Sequence, residues 1–345
     1  MPKIPFQKSV IRCFILGNID QHPQDITRVT ANHFKLSRQA AVAHLRSLIR
    51  DGLVEAEGST KDRAYRLRNI VEKTLSFDVT NTLEEDVVWR NYVRPLLGDD
   101  IPQNVLDICQ YGLTEMVNNV REHSESPDMD VMIRRNAIDV VLYIIDHGVG
   151  IFNKIQKDFG LNDPRHALLE LSKGKLTSDA SAHTGEGIFF TSRMFDVFQI
   201  LSGTLFFSRK PRDNGWLVEV EDRDFTTGTI ICMRISINTQ QTLQHIFDQF
   251  ANEQQDYSFT RTHVPVKLAK YPSEQLVSRS QARRVLARFE KFDEVMLDFD
   301  DVATVGPAFV DEIFRVYKLE HPSTTIIPFN MTEEVARMVR HTEKK

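Results

Sequence analysis

The sequence predicts a multidomain α/β (α+β) protein, and three observations support this. At 345 residues the chain is long enough for two or three domains, each burying its own core. The first seventy residues read as helices followed by a hairpin, whereas further along strand and helix signals interleave. A fresh strand–helix alternation then starts at His263, after a polar stretch. These signals divide the chain into residues 1–70, 71–240, a linker at 241–262, and 263–345.

Composition is that of an ordinary globular protein, with 41% hydrophobic and 26% charged residues. No run of about 18 apolar residues occurs, and MPKIPFQKSV has neither a long apolar core nor a small-residue cleavage site. A cytoplasmic location without a membrane partner is expected. Cys13, Cys109 and Cys232 lie far apart in apolar runs and are expected to be reduced core residues. The net charge of −5 is unevenly spread: residues 1–70 hold twelve Lys/Arg against six acids, so the remainder is strongly acidic. A basic head on an acidic body points to a polyanion partner for the head alone.

In the head, Ser9 to about Asn18, Thr27–Phe34 and Ser37–Asp51 have helical patterns, the third entered at an N-capping serine and left through Gly52. LVEAEGSTKDRAYRL follows as two alternating segments around a turn, a β-hairpin signal. Over residues 5–68 this order resembles a winged helix-turn-helix domain. The resemblance implies DNA as partner, with Ser37, Arg38, Gln39 and Val42 at the start of the recognition helix. Arg38 suits guanine and Gln39 suits adenine. Lys61, Arg63 and Arg66 on the wing are expected to meet phosphates.

In the middle, GLTEMVNNVREHSES continues a helix whose apolar positions include Val105, Ile108, Leu113, Met116, Val117 and Val120. Glu115, Asn119 and His123 fall at i, i+4 and i+8, drifting about 40° per step and therefore sharing one flank of the helix. VVLYIIDHGVGI reads as a buried strand ending in Asp146, with Gly148 and Gly150 in the turn after it. KGKLTSDASAHTGEGIFFTSRMFD reads as a polar loop closed by Gly185 and Gly187 at a helix start, where amide N–H groups can face phosphates. A strand with Gly-Thr follows.

That order, E-x3-N-x3-H, D-x-G-x-G, G-x-G and Gly-Thr, resembles the ATP-binding domain of the GHKL superfamily over residues 76–237. Within it the helix spacing is most similar to the serine kinases that act as anti-sigma factors. The resemblance implies ATP and Mg²⁺ as cofactors, with Asn119 as the Mg²⁺ ligand and Glu115 as the base. It implies Asp146 as acceptor for the adenine amino group and Gly148 and Gly150 shaping the adenine side. Gly185 and Gly187 would close on the phosphates, and Thr229 would sit near adenine. A hard cation that keeps its waters needs only one or two protein oxygens, which suits a single asparagine. Lys173 and Lys175 on the loop are candidates for compensating phosphate charge. No G-x4-G-K-[ST] sequence occurs, which excludes a P-loop, and residues 70–100 contain no histidine for autophosphorylation.

After a polar helix or linker, VPVKLA, EVMLDFDDV and TTIIPF read as strands, and Ser278–Phe292 and Pro307–Leu319 as helices. VMLDFDDVATVGPAFVDEIFRVY resembles the central strand–turn–helix of STAS domains over residues 263–340. Thr304-Val305-Gly306-Pro307 departs from the family's phosphoaccepting serine, so a sensing or protein-docking module is expected there. Together the resemblances imply a regulator whose nucleotide state controls DNA binding, possible as a homodimer. Two alternatives stay open: a protein serine/threonine kinase, or a nucleotide-gated scaffold without catalysis.

Overall fold

The computed structural model describes residues 4–59, 62–176, 185–210, 213–219, 227–252, 258–270 and 274–343. Three helices open the chain, α1 (Ile4–Asn18), α2 (Ile26–Phe34) and α3 (Arg38–Arg50), followed by an antiparallel hairpin of β1 (Val54–Glu57) and β2 (Ala64–Leu67). The Ser37 hydroxyl caps α3 by accepting a hydrogen bond from the Ala40 amide. Ile15, Ile19, Ile26, Leu45 and Leu48 are buried together with Val54 in a core of their own. Cys13 is exposed, contrary to the expectation of a core residue. Ile11 and Ile15 at i and i+4 take the inner face of α1, which leaves position 13 on the outer one.

A seven-stranded sheet follows. Its strands are β3 (Val71–Asp78), β4 (Asp128–Arg135), β5 (Asp139–Asp146), β6 (Val197–Ser202), β7 (Leu205–Lys210), β8 (Asp213–Glu219) and β9 (Thr229–Ser236). They lie in the order β3-β4-β5-β9-β6-β7-β8, and every neighbouring pair is antiparallel. Alternation along β5 buries Val140, Leu142, Ile144 and Asp146 on one face. The first three are what such a face requires; the fourth places a carboxyl where a hydrophobe would pack.

Helices in the connections are α4 (85–97), α5 (103–124), α6 (Ile151–Asp158), α7 (His166–Lys173) and α8 (Gly187–Met194). In α5 the regular helix runs over Gln103–Asn119, and Val120–Ser124 form a wider final turn. The wider turn alters the phase of His123 relative to a straight helix.

Residues 241–262 are not a free linker. α9 (Leu243–Phe250) carries Leu243, Ile246, Phe247 and Phe250 at i, i+3, i+4 and i+7, and β10 (Ala251–Asn252) pairs with β11 (Ser258–Phe259). Phe250 and Phe259 are buried against Phe189 and Phe190, and Phe259 also meets Phe292. A single apolar core therefore runs from the sheet into the C-terminal segment. That segment is a parallel sheet of β12 (Arg261–Pro265), β13 (Glu294–Asp298) and β14 (Thr325–Phe329) in that order. It is accompanied by α10 (Arg279–Leu286), α11 (307–320) and α12 (Glu333–Glu343).

Lys173 is not a loop residue. It ends α7 fully buried, its Nζ bonded to Glu170 Oε1 at 2.7 Å and to the carbonyls of Ala287 and Arg284 at 2.9 and 3.1 Å. Arg288 binds the other Glu170 oxygen at 2.7 Å and the Glu170 and Lys175 carbonyls at 2.9 Å each. Lys175 likewise turns away, donating to the Lys291 carbonyl at 3.0 Å. What the sequence shows as loop cations are thus partners of residues 284–291, which lie more than a hundred positions downstream. Among the described residues no helix is long and apolar enough to cross a membrane.

Glu170→Gln would leave Lys173 and Arg288 side by side without their counter-charge, which should cost about 3–5 kcal/mol in urea unfolding. Burial holds the Lys173 pKa down at about 8 from 10.5, with Glu170 acting in the opposite sense. The unfolded chain binds that proton more tightly, so stability should rise between about pH 8 and pH 10.5 relative to a Lys173→Met chain measured in parallel.

Candidate functional site

A cleft of about 500 Å³ opens between α5, the end of β5, α6 and the start of α8. Glu115, Asn119, Asp146, Gly185, Gly187 and Thr229 all line it, although they span more than a hundred positions of sequence. His123 lines it as well. Gly148 and Gly150 stand behind one wall, in the turn that leads from β5 into α6.

Asp146 lines it while only 4% exposed, and its Oδ1 accepts the Gly148 amide at 2.9 Å. Burial pushes its pKa above the usual carboxylate range, opposed by hydrogen bonding from Gly148 and Thr229. Thr229 stands directly across from Asp146 in the β5–β9 register, and its hydroxyl accepts the Ile151 amide at 3.1 Å. Around this acceptor the walls are apolar: Ile151, Ile155, Leu171 and Ile231.

α5 adds polar groups to the lining. Asn119 has only a weak contact to Met116 Sδ at 3.9 Å, and the neighbouring Asn118 has a buried side-chain oxygen with no hydrogen-bond partner. Both asparagines line the cleft, so the pair that sequence spacing separates into one ligand and one bystander is held together at its wall. The Glu115 carboxylate lies against the first residue of α8: a Cβ on Gly187 would collide with Glu115 Oε2. Gly185 forms the near end of a pinch, its carbonyl accepting the Leu176 amide at 2.9 Å. The stretch between them, residues 177–184 of the expected loop, lies outside the described residues.

The turn after β5 is packed against the end of α5. A Cβ on Gly148 would collide with the Ser124 carbonyl, and the Val149 amide donates to that same carbonyl at 2.8 Å. His147 points away, its Nδ1 within 2.8 Å of Asp128 Oδ1, so its bulk does not enter the cleft.

Sequence reasoning missed Lys154, which lines the cleft and pairs with Asp158 at 3.0 Å. The signal was present: Ile151, Lys154, Ile155 and Asp158 recur at i, i+3, i+4 and i+7 after the D-x-G-x-G turn, and all four line the wall. It also missed Arg121, which lines the cleft while bonded to the Leu83 carbonyl and Glu85.

At the amino end, Arg38 and Gln39 are exposed in the first turn of α3. Arg63 is exposed beside the hairpin, its guanidinium 5.5 Å from the Tyr65 ring centre. Lys61 lies outside the described residues. Arg66 is exposed as well and forms ion pairs with Glu55 and Glu57 across the hairpin.

In the C-terminal segment, residues 281–336 match the family described as a STAS-like domain of unknown function (DUF4325). The C-terminal segment is a STAS-like domain. No curated protein matches the chain. The match takes in most of α10, then β13, α11, β14 and the start of α12. In the STAS-like domain the turn after β13 is stitched to the strand-like stretch at Leu276, whose carbonyl accepts the Gly306 amide at 2.8 Å. Through Lys173, Lys175 and Arg288 the same domain grips the segment entering the 177–184 stretch.

The two close approaches predict different outcomes. Gly148→Ala sets a methyl against backbone that cannot move aside, and should lower stability by several kcal/mol in chemical denaturation. Gly187→Ala meets only the tip of a flexible glutamate, and should keep near-wild-type stability while displacing Glu115.

Proposed function

We propose that this protein binds ATP–Mg²⁺ in the cleft between α5 and α6, in the manner of a GHKL ATP-binding domain, and that nucleotide occupancy controls DNA binding by residues 1–70. The observation that carries the reading is that six sequence-distant motif residues converge on one cleft, whose lining includes the buried Asp146 carboxyl and Asn118, with a buried side-chain oxygen that has no hydrogen-bond partner. Bound ATP–Mg²⁺ would supply a reactive terminal phosphoryl group and the cation that offsets its charge. Asp146 accepts the amino group of the base, and Thr229 steadies the turn beside it. Asn119 contributes the protein oxygen to Mg²⁺, with Asn118 adjacent. Gly185 and Gly187 border the phosphates, where the first amides of α8 add donors, and Glu115 is placed to orient a water or hydroxyl.

The route to DNA binding is short. β5 carries Asp146 at one end, and the turn at its other end places Ala137 and Ile138 against the core of the amino-terminal helices, roughly 25 Å away along the strand. Only three residues separate β2 from the edge strand β3. A change in the tilt of the sheet therefore bears directly on α3. Arg38, Gln39 and Arg63 supply the DNA-facing groups; their exposure and the excess of basic residues over acids in this part support that role.

Titration calorimetry tests the nucleotide site. Asp146→Asn should weaken ATP about ten- to a hundred-fold with or without Mg²⁺, the worth of a hydrogen bond to a charged group. Asn119→Ala should lose affinity only when Mg²⁺ is present. Ionised Asp146 costs stability above its raised pKa, so Asp146→Asn should melt no lower than wild type at pH 7. Equal ATP affinity in all three chains removes the proposal.

DNA binding is checked with a pool of sheared duplex DNA across a salt series. Arg63→Ala should reduce the salt slope by about one phosphate contact, and Arg38→Ala should weaken binding. ATP–Mg²⁺ should shift the affinity of wild type but not that of Asp146→Asn. Identical affinities with and without nucleotide would dismiss the coupling.

A further inference from the structure

β5 reads DVVLYIID and β9 reads TIICMRIS, so both strands are apolar at successive positions and therefore on two faces. A sheet with one solvated face alternates apolar with polar residues instead. Leu142, Ile144, Ile231 and Met233 point to one side, where they are buried in the main core with α5. Their neighbours in sequence point to the other side.

Strand register fixes what that outer face holds. Met132, Tyr143 and Cys232 form one row across β4, β5 and β9; Ile145 and Ile230 form the row nearer Asp146, and Val141 stands in the row on the far side. All six are half-buried. Among the described residues, none of them belongs to either apolar core or packs against one.

Charges stand at the two ends of this face along the strands. The outward positions of β4 are Asp128, Asp130, Met132 and Arg134, so a single strand runs from acidic through apolar to basic. Asp78 on β3 stands opposite Asp128, and Arg234 on β9 shares the row of Arg134 through Val141. These groups lie at the surface even where they have neighbours. Arg134 meets Glu72 at 3.0 Å with its side chain 42% exposed, Asp128 meets His147 at 2.8 Å, and Asp130 accepts the Ser76 hydroxyl.

We propose that this face is a homodimer interface, on which a second copy of the chain packs its own outer sheet face, turned end for end. In that arrangement the acidic end of each copy meets the basic end of the other; with the two sheets running the same way, like charges would face each other. A two-fold axis makes both contacts at once. Four rows on the five strands β3, β4, β5, β9 and β6 cover roughly 24 by 27 Å, on the order of 600 Å² a side. A stable interface takes about 800 Å² of accessible surface a side, and the accessible area of a pleated face exceeds its flat footprint. An apolar middle with a charged rim is also the make-up of obligate homodimer interfaces. The proposal does not rest on the nucleotide reading.

The test is sedimentation velocity of the full chain without nucleotide, across the micromolar range, and a dimer is expected. Met132→Lys and Val141→Lys each set an ammonium in the apolar part of the face, and each should raise the dimer dissociation constant about ten-fold or more. Asp130→Lys should weaken the dimer too. Combining it with Arg134→Glu should recover part of the loss, because the reversed ends are again complementary, and such recovery separates an interface effect from misfolding. A wild-type chain that stays monomeric throughout overturns the proposal, whatever other protein the face then holds. So does a dimer whose dissociation constant is unchanged in Met132→Lys and Val141→Lys chains that melt as wild type. A double reversal that dimerises no better than Asp130→Lys alone overturns the end-for-end arrangement.

Discussion

The structure depends on a close backbone approach between the end of α5 and the turn after β5. Ser124 sits at its centre: its carbonyl takes the Val149 amide, and its hydroxyl donates to Val120 O and receives the Ser126 amide. Ser126 in turn caps His147 N through its hydroxyl at 3.0 Å. Only glycine at 148 allows the two chains to come this near. The consequence is geometric. The helix bearing Glu115 and Asn119 and the strand end bearing Asp146 are held as two walls of one cleft, tied at this point by the Val149–Ser124 backbone hydrogen bond.

The opposite wall is built on a different principle. α7 leads into the stretch before Gly185, and its last turn is held by a buried cluster of one carboxylate and two cations, Glu170 with Lys173 and Arg288. Such a cluster contributes little net stability compared with apolar packing, but it is intolerant of losing a member. One of its three members, Arg288, comes from the STAS-like domain. The position of this wall is therefore tied to the packing of β12 and α10, through Thr262, whose hydroxyl bonds the Lys173 carbonyl, as well as through Arg288. A domain placed as an appendage by sequence is, in the folded chain, part of the support of the candidate nucleotide site.

Much of the fold was legible because its signals are local. Ser37 caps α3 since a serine hydroxyl meets the N3 amide wherever a helix begins with that geometry. The alternation of β5 and the helical recurrence of Val105, Ile108, Leu113 and Met116 are set by the backbone periods alone. The motif residues of the cleft were legible for a related reason: each stands at an element end or at a fixed spacing along one helix, so its position travels with the pattern. Lys154 could have been read the same way from its spacing after Gly150.

The sequence by itself determined the succession of elements, the inward faces of most helices and strands, and six of the residues that line the cleft. Only the tertiary structure decided which charges are solvated. Lys173 and Lys175 read as loop cations because nothing adjacent to them in sequence is a partner; their partners are carbonyls of residues 284, 287 and 291. Cys13 was misjudged for the same reason, its exposure being set by which side of its helix the core covers. Burial and pairing of a charge depend on what distant segments place within a few ångströms of it, and a one-dimensional pattern does not carry that information.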